Sequence, residues 1–258
     1  MFKKNILITG TNGFISSNLK KKLAENSDYN ILTYVRGDTL KKFRSVIEKS
    51  DFIFHLAGVN RPEKLNDFII GNINLTESIC NELSTLKKNV PIVYSSSIHA
   101  NNKEHESELH KTFSYSKIKS ENILKEYSEK LNSQLFIYRL PNVFGKNQKP
   151  NYNSVVSTFC YNKANNLPIN INDPDKILNL VHIDDVIESF KSKISFMKSG
   201  LNYEEVDRTY QISLQDLAEY INSFDQIASA NKKFKNDNSK ALKNLISEII
   251  LDYQNRIK

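Results

Sequence analysis

An α/β fold, a doubly wound parallel sheet with helices on both faces, is what this sequence predicts, and three observations predict it. A short apolar strand breaks into a glycine turn and then an amphipathic helix over residues 5–19. Strand-like and helix-like patterns alternate through the first 140 residues, which argues for crossover connections and a parallel sheet. Of only seven glycines, four (Gly10, Gly13, Gly58 and Gly145) fall in segments where a bound cofactor would need bare backbone.

The first strand is expected over Ile6–Thr9 and the first helix over Phe14–Glu25. Between them Gly10 permits a tight turn and Gly13 removes the Cβ that would block a pyrophosphate. The helix then points its free N–H groups and its positive end at that anion, so a dinucleotide is the expected ligand of Gly10, Asn12, Gly13, Phe14 and Ile15. The third small position is Ser16 rather than glycine, which predicts slightly looser packing of helix on strand and weaker cofactor binding. Further strands follow at 31–35, 52–56, 92–95 and 135–139, with helices at 64–86 and 114–131. The third strand ends in Leu56, Ala57 and Gly58, where backbone should pass beside the cofactor, whereas His55 reads as a packed strand residue. Residues 1–140 are thus expected to form a Rossmann-type nucleotide-binding part. From 141 to 258 a small substrate lobe of the same structural unit is expected, with helical segments at 151–166, 183–197 and 213–224, the last capped by Ser213, and a turn at Asp173-Pro174. The tail from 239 to 258 sets Leu242, Leu245, Ile246, Ile249, Tyr253 and Ile257 on one stripe, for burial against the same chain or, as the second reading, a homodimer contact.

Composition excludes several classes. Cys80 and Cys160 are the only cysteines and no Cys/His cluster has metal-ligand spacing, so neither a disulfide framework nor a metal site is expected. The start of the chain lacks the apolar core of a signal peptide, and no apolar run approaches a bilayer-spanning length, which predicts a cytoplasmic protein without a membrane partner. The net charge of +7 is spread over helix faces, so no nucleic-acid partner is expected, while the positive excess suits phosphorylated small ligands.

Several of these segments together resemble the extended short-chain dehydrogenase/reductases, the NAD-dependent epimerase/dehydratase family, that act on nucleotide sugars. They are Thr9-Gly-Thr-Asn-Gly-Phe-Ile, His55-Leu-Ala-Gly, Ser95-Ser-Ser, Ser116-Lys117, Arg139-Leu-Pro-Asn-Val-Phe-Gly and Val181-His-Ile-Asp-Asp-Val. The runs 55–63, 95–98 and 138–155 are similar, more narrowly, to the reductase domains of CapF-type capsular-polysaccharide enzymes, a likeness covering about residues 5–220. The resemblance implies NADPH-dependent reduction of the C4 ketone of a UDP-linked 4-keto-6-deoxy-N-acetylhexosamine, with NADP(H) ahead of NAD(H). In that group a C-terminal cupin domain epimerises C3; here the reductase is expected alone, with a cupin epimerase as a separate partner. Two other readings stay open: a binding protein for NADP or sugar-nucleotide without turnover, and an epimerase or dehydratase holding NAD tightly.

Such a reduction needs a hydroxyl to polarise the keto oxygen, a phenol to supply the proton, and a lysine that lowers the phenol's pKa from about 10 while holding the nicotinamide ribose. Ser97, at the carboxyl end of the fourth strand, matches the first role, with Ser96 as its neighbouring alternative. For the others two registers compete. Tyr115 and Lys119 are four apart and share a helical face. The family pattern Tyr-x-x-Ser-Lys-x-x-x-Glu instead falls on Ser116-Lys117 and Glu121, which makes Lys117 the lysine and puts Phe113 where the phenol should be. Tyr115 lies about 200° around an ideal helix from Lys117 and replaces the phenol only if the helix starts late or is distorted. Arg36, after the second strand, suits the 2′-phosphate of NADP or is simply a surface arginine. By resemblance Asn72 and Thr76 line the nicotinamide side, and Pro141, Asn142 and Gly145 form a loop covering it. Asn142, Asn151, Tyr152, Asn153 and Ser154 offer groups for the sugar-nucleotide, with a helix cap as the competing role. Asp184 and Asp185 read as paired carboxylates for acid/base work or, as the resemblance implies, as structural residues that pack the substrate helix to the core.

Overall fold

The computed structural model describes residues 3–101, 107–196, 199–224 and 237–257. Its main sheet holds six parallel strands in the order β2-β1-β3-β4-β5-β8, comprising β1 (Lys4–Thr9), β2 (Tyr29–Tyr34), β3 (Phe52–His55), β4 (Ile92–Ser97), β5 (Leu135–Leu140) and β8 (Leu201–Glu204). The strand order reverses direction between β1 and β3, and in open α/β sheets ligands gather beyond the carboxyl ends of the strands at such a reversal. The Gly10 turn leaves β1 at that point.

The strands are apolar on both sides because helices cover both faces: Leu7, Ile53, Ile92, Tyr94, Leu135 and Ile137 pack with residues of α2 (Leu40–Lys49), α3 (Leu75–Thr85) and α4 (Glu108–Leu131), and the alternate residues Phe54 and Tyr138 meet helical Phe190 at 6.1 and 4.7 Å between ring centroids. The sequence reading did not include α2. Its signals are Thr39, whose Oγ1 accepts from Lys42 N at 3.2 Å, and the buried face Phe43, Val46 and Ile47 at helical spacing. The helix expected over 64–86 is interrupted: a short turn at Asn66–Phe68 leads into a π-helical segment, Ile69–Asn74, before α3. The fourth helix begins at Glu108, six residues before the expected start, because Ser107 caps it by accepting from His110 N at 3.3 Å.

The chain divides into two compact units. One runs to Leu140 and takes in Ile187–Glu205; the other is Pro141–Val186 together with Val206 onward. The division expected at residue 140 is therefore only the first of three crossings, because the chain returns in 187–205 to lay β8 beside β5, with Leu135 opposite Leu201 and Tyr138 opposite Glu204. The second unit holds a three-stranded sheet in the order β6-β7-β9, from β6 (Asn142–Phe144), β7 (Ile177–His182) and β9 (Tyr210–Ser213). None of these strands, nor β8, stood out from the pattern after Pro141.

The core of the second unit gathers Phe144, Phe159, Leu178, Leu180, Leu217 and Ile221 around α8 (Asp237–Ile257), with α5 (Val155–Ala164) and α7 (Leu214–Asn222) alongside; α6 (Ile183–Ser192) precedes α7. From the expected stripe, Leu242, Ile246, Ile249 and Tyr253 are buried there, Leu245 is half-buried, and Ile250 joins them; the side chain of Ile257 lies outside the described residues. Ser213 caps α7 through a bond from Asp216 N of 3.0 Å. Cys80 and Cys160 are free and buried. Among the described residues no helix is long and apolar enough to cross a membrane, and no group of three His, Cys, Asp or Glu is placed to hold a metal ion.

Candidate active site

The turn between β1 and α1 (Phe14–Leu23) is built from bare backbone. Gly10 has φ +70°, and a Cβ on it would lie 2.6 Å from Ala57 Cα, so glycine is demanded both by conformation and by the approach of the β3 end. Gly13 precedes α1 without any side-chain cap, and the first turn of α1 carries no acidic residue. Its leading N–H groups are thus left for an anion, with nothing larger than hydrogen on Gly13 in the way. Ser16 does not loosen this loop. It is buried, and its hydroxyl is bonded to the Gly10 carbonyl oxygen and lies 3.1 Å from that of Gly13, which ties the turn to the helix it feeds. Asn12 is exposed and Phe14 and Ile15 are half-buried at the helix start.

Beyond β3 a chain of hydrogen bonds fixes the backbone from Leu56 to Val59. Thr9 Oγ1 accepts from Leu56 N at 3.1 Å and Ala57 N at 3.0 Å and lies 3.0 Å from His55 Nδ1. His55 Nε2 lies 2.9 Å from Thr76 Oγ1, whose own proton goes to Asn72 O at 2.6 Å. With the Thr76 proton so committed, Nε2 carries the hydrogen and Nδ1 accepts from Thr9, which makes His55 a neutral bridge between β1 and the helix. Complete burial, with repulsion from Lys117 adding to it, pushes its pKa down to about 3. The sign of the resulting pH dependence follows. The unfolded chain takes up a proton at His55 below about pH 6.5 that the fold refuses until about pH 3, so stability should fall by about 1.4 kcal/mol per pH unit across that window. Urea denaturation at pH 7 and pH 5 should show this loss in the wild type and a shallower one in His55→Gln.

Asn72, buried in the π-helical segment, accepts from Val59 N at 2.7 Å and donates to Val59 O at 3.2 Å and to Ser116 Oγ at 2.9 Å. The extra residue per turn of a π segment brings Gly71 against Val59, where a Cβ would meet Cγ2 at 2.4 Å. Arg36, exposed after β2, reaches the same place, its Nη2 3.5 Å from that Cβ position.

The three serines at the end of β4 have separate partners. The Ser95 carbonyl oxygen accepts from Lys117 Nζ at 2.9 Å. Ser96 Oγ donates to Glu121 Oε1 at 2.6 Å. Ser97 Oγ accepts from His99 N at 3.2 Å, which leaves its own proton to donate elsewhere. Ser96 is thereby committed to the buried carboxylate of Glu121, which also accepts from Arg139 Nε at 3.0 Å, Arg139 Nη2 at 2.7 Å and Tyr203 OH at 3.3 Å. Sequence reading placed Glu121 in a motif but missed this cluster, because Arg139 and Tyr203 arrive from β5 and β8.

Lys117 is buried on the inner face of α4, with Nζ 5.1 Å from the Tyr94 ring centroid and 6.0 Å from that of Phe113. A Cβ on Gly58 would lie 3.3 Å from Nζ. Desolvation lowers its pKa to about 8, against the pull of Glu121 one turn on. Phe113, one turn earlier on the same face, packs on Phe68 at 5.6 Å between centroids. The late helix start under which Tyr115 would supply the phenol does not occur. Tyr115 is 56% exposed on the opposite face, and Lys119 is exposed as well, so the geometry does not bring Tyr115 to Lys117.

The remaining candidates belong to the second unit. Asn142 pairs with Leu180 in the small sheet and donates from Nδ2 to Asn179 O at 3.2 Å. Gly145 faces Ile183, whose Cγ2 a Cβ would meet at 2.4 Å, a packing reason for glycine that the sequence did not reveal. Ser154 caps α5 by accepting from Ser157 N at 3.2 Å; Asn151, at φ +54°, donates its backbone N–H to Thr158 Oγ1 at 3.0 Å; Tyr152 and Asn153 are exposed, and Pro141 is half-buried. Asp184 is exposed beside His182 at 3.7 Å, and Asp185 lies 3.9 Å from Arg208.

Comparison with known proteins adds independent findings. The model of the NAD dependent epimerase/dehydratase family matches residues 6–207. The UDP-2-acetamido-2,6-beta-L-arabino-hexul-4-ose reductase of Pseudomonas aeruginosa is 39% identical over 219 residues, 85% of this chain and 57% of that protein. The crystal structure of the capsular polysaccharide assembling protein CapF from Staphylococcus aureus superposes with a TM-score of 0.80 at 34% identity, covering 96% of this chain and 65% of that one. The chain thus spans less than two thirds of either relative. UDP-glucuronic acid 4-epimerase from Bacillus cereus, solved with NAD, shares the fold at a TM-score of 0.78 and 18% identity over 98% of this chain and all of that one.

Proposed function

This chain belongs to the NAD dependent epimerase/dehydratase family, and from that premise we propose that it reduces the C4 ketone of a UDP-linked 4-keto-6-deoxy-N-acetylhexosamine in surface-polysaccharide synthesis, with NADPH as reductant. The observation that carries the reading is the 39% identity to a hexul-4-ose reductase, joined to a lysine and a serine hydroxyl at the carboxyl ends of the strands.

The cradle fits a dinucleotide: an uncapped helix start, a glycine turn that tolerates no Cβ, and bare backbone at Gly58. When bound, NADPH supplies the hydride. In this reading Gly10, Asn12, Gly13, Phe14 and Ile15 receive its diphosphate, Arg36 its 2′-phosphate, and Leu56, Ala57, Gly58 and Asn72 the nicotinamide side. Lys117 holds the ribose. Ser97 donates a hydrogen bond to the ketone oxygen and stabilises the charge that develops there, and Ser97→Ala should lower kcat by about 10²–10³-fold. Pro141 and Asn142 cover the nicotinamide, while Asn142, Asn151, Asn153 and Ser154 receive the sugar-nucleotide. A second reading, a binding protein without turnover, draws on Phe113, which has no proton to give.

The test is loss of NADPH absorbance on mixing the protein with UDP-2-acetamido-2,6-dideoxy-hexos-4-ulose, with NADH in parallel. Oxidation faster with NADPH is the expected result. Binding of NADPH without oxidation favours the second reading, and NAD copurifying with the protein an epimerase or dehydratase.

A further inference from the structure

Resting on the reductase reading, we propose that Lys117 itself delivers the proton that turns the reduced ketone into an alcohol. Three features of its surroundings carry this. Phe113 occupies the position one turn before Lys117 on the same helical face, so the residue expected to donate has nothing to donate, and Tyr115 faces outward. Lys117 Nζ spends one N–H on the Ser95 carbonyl oxygen at 2.9 Å, and the rings of Tyr94 and Phe113, 5.1 and 6.0 Å away, attract a cation but take no proton. The carboxylate best placed to hold the ammonium, Glu121, is committed to Arg139 and Ser96, and among the described residues no ion pair is made by Lys117.

Nζ lies against the bare backbone of Gly58, where a Cβ would stand 3.3 Å from it. The titratable groups that face Lys117 are His55 from β3, Tyr94 from β4 and Glu121 from its own helix. His55 is held neutral and Tyr94 is held protonated by burial, so neither competes as donor or acceptor near neutral pH. With its pKa lowered to about 8, Lys117 is charged at pH 7 yet gives up its proton far more readily than a free lysine, the matching that general acid catalysis favours. The balance is simple. With NADPH bound as the hydride source, C4 would gain the new C–H bond and the carbonyl π pair would move to oxygen, while an N–H bond of Lys117 breaks as the O–H bond forms. Lys117 is left as the neutral amine and regains a proton from solvent.

The decisive variant is Lys117→Arg, which keeps the charge and the donors but does not release a proton. Single-turnover NADPH oxidation and NADPH affinity are measured from pH 6 to 10 for the wild type, K117R, F113Y and the double variant. Independently of turnover, the rate at which an amine-acylating reagent modifies Lys117 is followed against pH by peptide mass spectrometry. The wild-type rate is expected to be flat below about pH 8 and to fall about tenfold per unit above it, with Lys117 acylation showing the same midpoint. At saturating NADPH, K117R should be at least about 100-fold slower in a single turnover, and F113Y in the K117R background should restore about tenfold or more. A K117R rate close to wild type at saturating NADPH, an acylation midpoint near that of free lysine, or no gain from F113Y in the K117R background would each overturn the proposal. NADPH binding without oxidation by the wild type at any pH overturns the reductase reading and the proton path with it; oxidation that stays flat to pH 10 overturns the proton path alone.

Discussion

Phe113→Tyr should raise the rate of ketone reduction at pH 7 by about tenfold to a hundredfold. A general acid contributes about 10²–10⁴ in rate, and part of that is already supplied if Lys117 gives the proton, so the gain falls toward the lower end. The Phe113 ring is half-buried on the face of α4 that carries Lys117, with its centroid 6.0 Å from Nζ, and it packs on Phe68 at 5.6 Å. The variant should keep the wild-type urea midpoint within the error of a surface substitution, and Tyr115→Phe should change nothing, since that phenol stands in solvent. No gain from Phe113→Tyr combined with a collapse of activity in Tyr115→Phe would mean that the working register is Tyr115 and Lys119.

The largest expected loss of stability is at Glu121. Its carboxylate is 1% exposed and serves Ser96 on β4, Arg139 on β5 and Tyr203 on β8 from a helix that crosses all three. Removing one member of a buried ion pair costs about 3–5 kcal/mol because the other charge is stranded, and the Arg139 side chain, at 26% exposure, recovers some of that from water. Glu121→Ala should therefore cost about 3 kcal/mol in urea denaturation. Glu121→Leu with Arg139→Met should return most of it, because the pair is then replaced by apolar volume. A loss below about 1 kcal/mol in Glu121→Ala would show that solvent screens the pair.

What the sequence revealed and what it hid separate along a physical line. Contacts made within a few residues were legible: the Gly10 turn, the uncapped start of α1, the i, i+4 relation of Phe113 and Lys117, and the capping of α7 by Ser213 all follow from local geometry. The start of α4 was missed because its first turns are polar and its cap, Ser107, is followed by no apolar stripe until the helix meets the sheet. The π-helical segment adds a residue to a turn without altering composition, so nothing in the periodicity of 64–86 announced that Asn72 and Gly71 would be turned onto Val59. Glycines carried two meanings at once. Gly10 and Gly145 are bare because Ala57 and Ile183 press on them, a cause that no spacing motif distinguishes from ligand approach. Ser97 was separated from Ser96 only by partners that lie far off in sequence, since Glu121 claims the one and leaves the other.

The return of the chain at β8 has a consequence for synthesis. When β5 leaves the ribosome its outer edge has no neighbour, and the strand that will cover it, Leu201–Glu204, is still about sixty residues from being made. At about 5–20 residues per second, that edge waits on the order of 3–12 seconds, during which Leu135, Phe136 and Ile137 offer unpaired backbone to any strand that passes. The nascent sheet is thus at its most vulnerable to pairing with another chain while residues 141–200 are being translated, and a translational pause within that stretch should lower the yield of folded protein more than the same pause after residue 205.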